Sequence, residues 1–139
     1  MCGIAGVRYF DGRAVPGELL VEMAAQLSHR GPDDSGIWSA GSVGLAHTRL
    51  SIIDVAGSRQ PMASTGGNSH VVFNGEILNY RELRRELTYP YATQGDTEVL
   101  LALHEQMGPN SVDRLRGQFS YAVHDAAAGE LHLYRDRLG

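Results

Sequence analysis

The sequence holds a single cysteine, Cys2, among 139 residues. An intrachain disulfide is excluded, and a structural zinc site, which draws on several thiolates or imidazoles, is not expected. The histidines (His29, His47, His70, His104, His124 and His132) never fall in a metal-ligand spacing such as HxxxH, so no metal site is expected from them either. Long apolar runs are missing: no stretch approaches the ~20 residues that span a bilayer. The N-terminus lacks the basic start and apolar stretch of a signal peptide, and the cytoplasm is the expected compartment. Positive charge is not in excess, with 12 Lys and Arg against 16 Asp and Glu and a net charge of −4. That balance excludes a polybasic arm for nucleic acid or for a membrane surface. Neither a Walker phosphate loop nor GxGxxG occurs, so nothing points to ATP or NAD in this chain. What remains is a 42% hydrophobic chain, enough for the core of one ordinary domain, with 17 glycines spread over many turns.

The pattern along the chain is α+β, with antiparallel strands dominating. Gly3–Phe10 reads as a strand that ends at the Asp11-Gly12 turn. Leu19, Leu20, Met23, Ala24 and Leu27 fall at helical spacing behind Pro16. A polar loop, His29–Ser35, precedes two short strands at Gly36–Ala40 and Val43–Leu50, and Ser51–Met62 is irregular. A turn at Thr65–Asn68 leads into a strand, His70–Phe73. Asn79 with Glu82 forms a capping-box pattern ahead of a helix over Arg81–Leu87. Asp96 or Thr97 caps a second helix bearing Val99, Leu100, Leu103 and Met107, which Gly108-Pro109 ends. A short turn at Val112–Leu115 leads to paired strands, Gln118–Asp125 and Glu130–Arg135, joined around Gly129.

Four places carry chemistry. A lone cysteine is ordinarily a small buried hydrophobe, but Cys2 becomes N-terminal once Met1 is removed. Its own α-amine, with a pKa near 7.7–8.0, can then take the thiol proton, which is how N-terminal nucleophiles are activated. Asn74-Gly75 is a strong hairpin signal; alternatively, its carboxamide and main-chain N–H form an oxyanion hole. Arg49 is either a surface charge or a bidentate clamp on a carboxylate. Asp96 is either a helix cap or, with Glu76, an acceptor for a substrate ammonium. Arg30 and Asp33 form a candidate structural ion pair.

The motifs CGIAG at 2–6, HRGPDDSG at 29–36, RLSIID at 49–54, NGEI at 74–77, NYRELR at 79–84 and DTEVLL at 96–101, with GQFSYAVHD and RDRLG after them, occur in that order. Together they resemble the glutaminase domain of class II glutamine amidotransferases, in the branch of the glutamine-hydrolysing asparagine synthetases. The resemblance implies an N-terminal-nucleophile hydrolase fold, an αββα sandwich of two antiparallel sheets between helices. It implies hydrolysis of L-glutamine to glutamate and ammonia, with Cys2 as nucleophile and Asn74 and Gly75 as the oxyanion hole. It further implies Arg49 on the α-carboxylate, Glu76 and Asp96 on the α-ammonium, and Leu50, Ser51, Ile52 and Ile53 lining the pocket. Arg30 and Asp33 are supporting residues. Leu78 stands where the family usually carries Tyr, and Thr88–Gly95 is shorter than usual. The family's chains continue past the RDRLG region into further strands and a synthetase domain that uses ATP and Mg. This chain is therefore expected to be a C-terminally truncated domain needing no cofactor of its own. A synthetase domain or partner chain would accept the ammonia, and a homodimer would be one source of missing strands. An inactive glutamine-binding or assembly module is the alternative.

Overall fold

The computed structural model describes residues 1–50 and 57–138. Its layering follows from one strand, Val43–Arg49, which is buried at every position. Side chains alternate along a strand, so Val43, Leu45, His47 and Arg49 face one way and Gly44, Ala46 and Thr48 the other. Each face needs a covering layer.

In chain order the elements are β1 (Gly3–Arg8), α1 (Gly17–Gln26), β2 (Asp34–Ala40), β3 (Val43–Arg49), β4 (Met62–Ala63), β5 (Ser69–Ile77), α2 (Tyr80–Glu86), α3 (Asp96–Met107), β6 (Gly117–Asp125) and β7 (Glu130–Arg135). The first three strands form one sheet in the order β1-β3-β2, the others a second in the order β4-β5-β6-β7, and every pairing within them is antiparallel. Ala46 packs under Leu20 and Ala24 of α1, and Thr48 Oγ1 donates to the Leu27 carbonyl at 3.0 Å. On the other face Leu45 meets Val72 and Ala122 of the second sheet, with Ile4, Trp38 and Leu131 around them. The far face of the second sheet carries the largest cluster, where Val71, Phe73, Ile77, Tyr121 and Val123 pack on Leu83, Val99, Leu100 and Leu103 of α2 and α3. The result is the expected αββα sandwich. No helix among the described residues is long and apolar enough to cross a membrane.

Local expectations fail at four points. Asn74-Gly75 is not a hairpin: β5 runs through it, pairing Asn74 with Ser120 and Gly75 with Phe119. Phe73 and Ile77 both belong to the helix-side core, and a turn between them would pull Ile77 out of it. Asn79 does not cap α2 with its side chain. Its Nδ2 donates to the Arg114 carbonyl and its Oδ1 accepts from the Arg116 N–H, both at 3.0 Å, so it fastens the approach to β6 instead. The cap position of α3 is Gly95, not Asp96 or Thr97. The link after α3 is a 3-10 turn over Gly108–Arg114, longer than the spacing suggests.

Leu20 has no exposed surface and, with Ala24, makes up the buried part of α1. Leu20→Ala should destabilise the fold by about 3 kcal/mol in equilibrium urea denaturation, the usual cost of an unfilled cavity at a leucine.

Candidate functional site

The site forms at one end of the sandwich, where the first residues of β1 and the last of β3 lie over the second half of β5. Cys2 precedes Gly3, which pairs with Thr48. Ile4 faces the second sheet, and alternation turns Cys2 to that same side. The sulfur is held by Leu50, whose N–H points at Sγ from 3.4 Å while its carbonyl lies 3.7 Å away. Arg30 Nε donates to the Cys2 carbonyl at 3.0 Å, fixing the main chain that carries the sulfur.

Arg30 reaches there because its loop is wedged on β3. A Cβ at Gly31 would lie 2.4 Å from the Thr48 carbonyl group and 2.5 Å from the Arg49 nitrogen, so only glycine permits the approach. The next residues lock the wedge: the Asp33 N–H donates to the Arg49 carbonyl at 3.0 Å. Among the described residues no Arg30–Asp33 ion pair is found; the Arg30 Nε bonds the Cys2 carbonyl instead.

On β5, alternation sends His70, Val72, Asn74 and Glu76 toward the first sheet, as the packing of Val72 and the stacking of His70 on Trp38 at 4.0 Å require. Asn74 thus faces the space beneath Cys2, and its Oδ1 is buried with no hydrogen-bond partner among the described residues. Gly75 has φ +150°, and a Cβ there would sit 2.1 Å from the Gln118 carbonyl oxygen. Asp96, at the start of α3, accepts the Ile77 N–H on Oδ2 at 3.0 Å. Burial pushes its carboxyl above the ordinary range; the backbone N–H groups of Ile77, Asp96 and Thr97 oppose the shift, and the nearby Glu76 adds to it.

A cavity of about 390 Å³ lies between these groups. Cys2, Arg49, Leu50 and Asn74 line it, and so do Gly75, Glu76 and Asp96. Arg49 is only 5% exposed, which removes the surface-charge reading. The lining therefore includes a buried cation, two carboxylates, a thiol, a carboxamide and a strand N–H. Ser51, Ile52 and Ile53 lie outside the described residues.

The sequence matches the glutamine amidotransferase domain over residues 1–139. The chain belongs to that family. It is 40% identical to asparagine synthetase [glutamine-hydrolyzing] 3 of Bacillus subtilis over 145 residues, covering 100% of this chain and 24% of that protein. It is also 40% identical to asparagine synthetase B [glutamine-hydrolyzing] of Escherichia coli over 144 residues, covering 100% of this chain and 26% of that protein. The chain thus spans about a quarter of the length of these relatives. Among solved structures, the glutamine phosphoribosylpyrophosphate amidotransferase of B. subtilis superposes with a TM-score of 0.75 at 19% identity, over 98% of this chain and 37% of that one. An allosteric regulatory enzyme of purine biosynthesis gives 0.79 at 19% identity, over 100% of this chain and 38% of that one. These two likenesses establish the shared fold.

Three polar residues of this amidotransferase domain escaped the sequence reading. Glu98 is buried and accepts from the Ala92 N–H at 2.8 Å and from the Thr93 N–H and hydroxyl at 2.7 Å, so it folds the 88–95 segment against α3. Gln60 and His47 both bond the Phe73 peptide: Gln60 Oε1 accepts its N–H at 2.6 Å, and His47 Nε2 lies 3.2 Å from its carbonyl oxygen. Only the LAHTRL context, a histidine two residues before Arg49 on one strand face, would have singled out His47. Gln60 carries no local signal.

Burial pushes the His47 imidazole down to about 4; Arg49 also lowers it, while the bond to Phe73 and the charge of Asp34 oppose the shift. A depressed histidine adds stability that is complete above the unfolded value of ~6.5 and drains away as pH falls toward the folded value. Between pH 6.5 and 4 the native protein should lose up to about 3 kcal/mol through this residue. Urea denaturation of the native chain and of His47→Gln across that range should show a shallower pH slope for the variant. At Gly75, Gly75→Ala should cost about 1–3 kcal/mol by the same denaturation, because the clash is with backbone.

Proposed function

We propose that this domain hydrolyses L-glutamine to glutamate and ammonia through a thioester on Cys2. The ammonia would serve amide formation of the asparagine-synthetase type in a synthetase domain or partner chain. The observation that carries the reading is the convergence on one cavity of the Cys2 sulfur, the buried Arg49, the Asn74-Gly75 donors and the Glu76 and Asp96 carboxylates. An α-amino acid with an amide side chain presents the matching groups. Its carboxylate suits Arg49 as a bidentate partner, its ammonium suits Glu76 and Asp96, and its amide carbonyl comes to the sulfur. An arriving ammonium also favours the ionised form of Asp96, which burial alone disfavours.

With Met1 removed, the Cys2 α-amine takes the thiol proton and the thiolate attacks the amide carbon. The carbonyl oxygen becomes an oxyanion facing the Asn74 carboxamide and the Gly75 N–H, donors that each contribute on the order of 3 kcal/mol in acyl transfer. The C–N bond breaks, the α-ammonium returns its proton to the departing nitrogen, and ammonia leaves a thioester. Water, deprotonated by the same amine, then cleaves the thioester to glutamate and the free thiol.

The test is a glutaminase assay on chain whose intact mass shows that Met1 has been removed. The expected outcome is release of glutamate from glutamine, alkylation at Cys2 by a glutamine-like electrophile, and loss of turnover by at least about a thousandfold in Cys2→Ala. Chain that retains Met1 should be inactive, since its amine lies one residue away from the thiol. Processed, folded chain that binds glutamine without turning it over would overturn the catalytic reading and leave a binding module.

A further inference from the structure

We propose that His47 and Gln60 are positioning residues, which hold the Phe73 N–H and C=O along one edge of β5 and so fix where Asn74 and Gly75 aim their donors. The proposal deepens the reading above and rests on it for its catalytic part.

The argument begins with the edge of β5. Strand β4 pairs only through Met62 with Val71 and Ala63 with His70. The strand continues to Ile77 with no paired strand on that side among the described residues. Backbone groups alternate in direction along a strand. Ser69 bonds toward the β4 side, through its carbonyl to the Ser64 N–H at 2.8 Å, so Phe73, Gly75 and Ile77 point their N–H and C=O groups the same way. A strand edge left inside a protein must be satisfied by something else. For Ile77 it is the Asp96 carboxylate at 3.0 Å. For Phe73 it is two side chains at once: Gln60 takes the N–H at 2.6 Å and His47 meets the C=O at 3.2 Å. The Gly75 N–H lies between these two anchored residues and faces the cavity.

Both clamps are themselves held. His47 is 1% exposed and shares its strand face with Arg49, so one rigid strand sets both the arginine and the Phe73 carbonyl. Its contact with a carbonyl assigns the proton to Nε2, and burial keeps the ring neutral through the physiological range. Gln60 Nε2 donates to Thr97 Oγ1 at 3.4 Å, next to Asp96, so Gln60 joins the β5 edge to the start of α3. Gly75 needs such bracing. Without a side chain it has the widest conformational range of any residue, and its φ of +150° is not one that its neighbours impose by strand pairing alone. Fixing the peptide before Asn74 and the one after Glu76 leaves the two donors little freedom.

The experiment uses the Met1-processed chain with His47→Ala, His47→Asn, His47→Gln, Gln60→Leu and Gln60→Glu. His47→Gln keeps an N–H near the Nε2 position, His47→Asn stops short of it, and Gln60→Glu keeps an acceptor. Displacing an oxyanion donor costs part of the 10²–10³ seen when one is deleted. His47→Ala, His47→Asn and Gln60→Leu should therefore lower kcat about tenfold or more, with KM within about twofold. His47→Gln and Gln60→Glu should stay within about threefold of the native kcat. In ¹H–¹⁵N spectra the same three variants should shift the Gly75 backbone and Asn74 side-chain cross-peaks and leave that of Val71 in place. Unmoved Gly75 and Asn74 signals, or a rise in KM at constant kcat, would overturn the proposal. If His47→Ala does not fold, the contrast between His47→Asn and His47→Gln decides. Should the native chain lack glutaminase activity, the catalytic reading fails by its own assay, and the spectra still decide whether the clamp sets the two donors.

Discussion

Strand β5 outruns its neighbour. β4 pairs with it only at Val71 and His70, yet β5 cannot stop there, because Phe73 and Ile77 are both needed by the core beneath α2 and α3. Among the described residues, the backbone of β5 beyond Val71 therefore has no ladder on that side, and an unpaired buried peptide group costs free energy comparable to a lost hydrogen bond. Side chains from three separate elements close that edge: His47 from β3, Gln60 from the segment before β4, and Asp96 from α3. The site occupies the one stretch they leave open. Its location is thus a consequence of strand lengths, and two of the residues that seal the edge, Gln60 and Asp96, also line the cavity.

The same economy governs Cys2. Cys2 lies outside the β1 ladder, where a chain end would ordinarily fray. It is tied at its sulfur by Leu50 and at its carbonyl by Arg30. Both ties come from chain that lies against the end of β3, one as its continuation and the other as the loop wedged on it through Gly31. Since Arg49 and His47 belong to that strand too, a single buried element aligns the thiol, the cation and the imidazole on the Phe73 carbonyl. Its burial on both faces makes this precision affordable, because a strand packed between a helix and a sheet has few ways to shift.

The sequence carried the fold where alternation and turn residues agreed. β7 appears at its expected bounds, and β1, β3 and β6 lie within a residue or two of theirs. The strong motifs, CGIAG, RLSIID and NGEI among them, brought Cys2, Arg49, Asn74 and Glu76 to one cavity. What could not be read depended on partners distant in the chain. Asn-Gly is the best local hairpin signal, but the demand that kept it in a strand came from Ile77 reaching α3, which no local rule contains. Asn79 carried a capping-box pattern and was captured by the 114–116 segment. Arg30 had a carboxylate three residues away in sequence and a better-placed carbonyl at Cys2 in space. Gln60, in an irregular stretch beside a proline, became visible only when the open edge of β5 was.

Two polar groups at this end of the molecule are in states that cost stability: the Asp96 carboxyl is raised by burial, and the Asn74 Oδ1 is buried with no partner among the described residues. Strained or unsatisfied groups of this kind gather where a site must be organised before its ligand arrives. The cost is offset at the opposite ends of the same strands, where Leu45, Val72 and Ala122 join the two sheets and Val71, Tyr121 and Val123 pack beneath the helices with almost no exposed surface. A cation bound beside Asp96 would favour the ionised carboxylate that burial disfavours. Affinity on that account comes less from new apolar contact than from the release of penalties already incurred in folding.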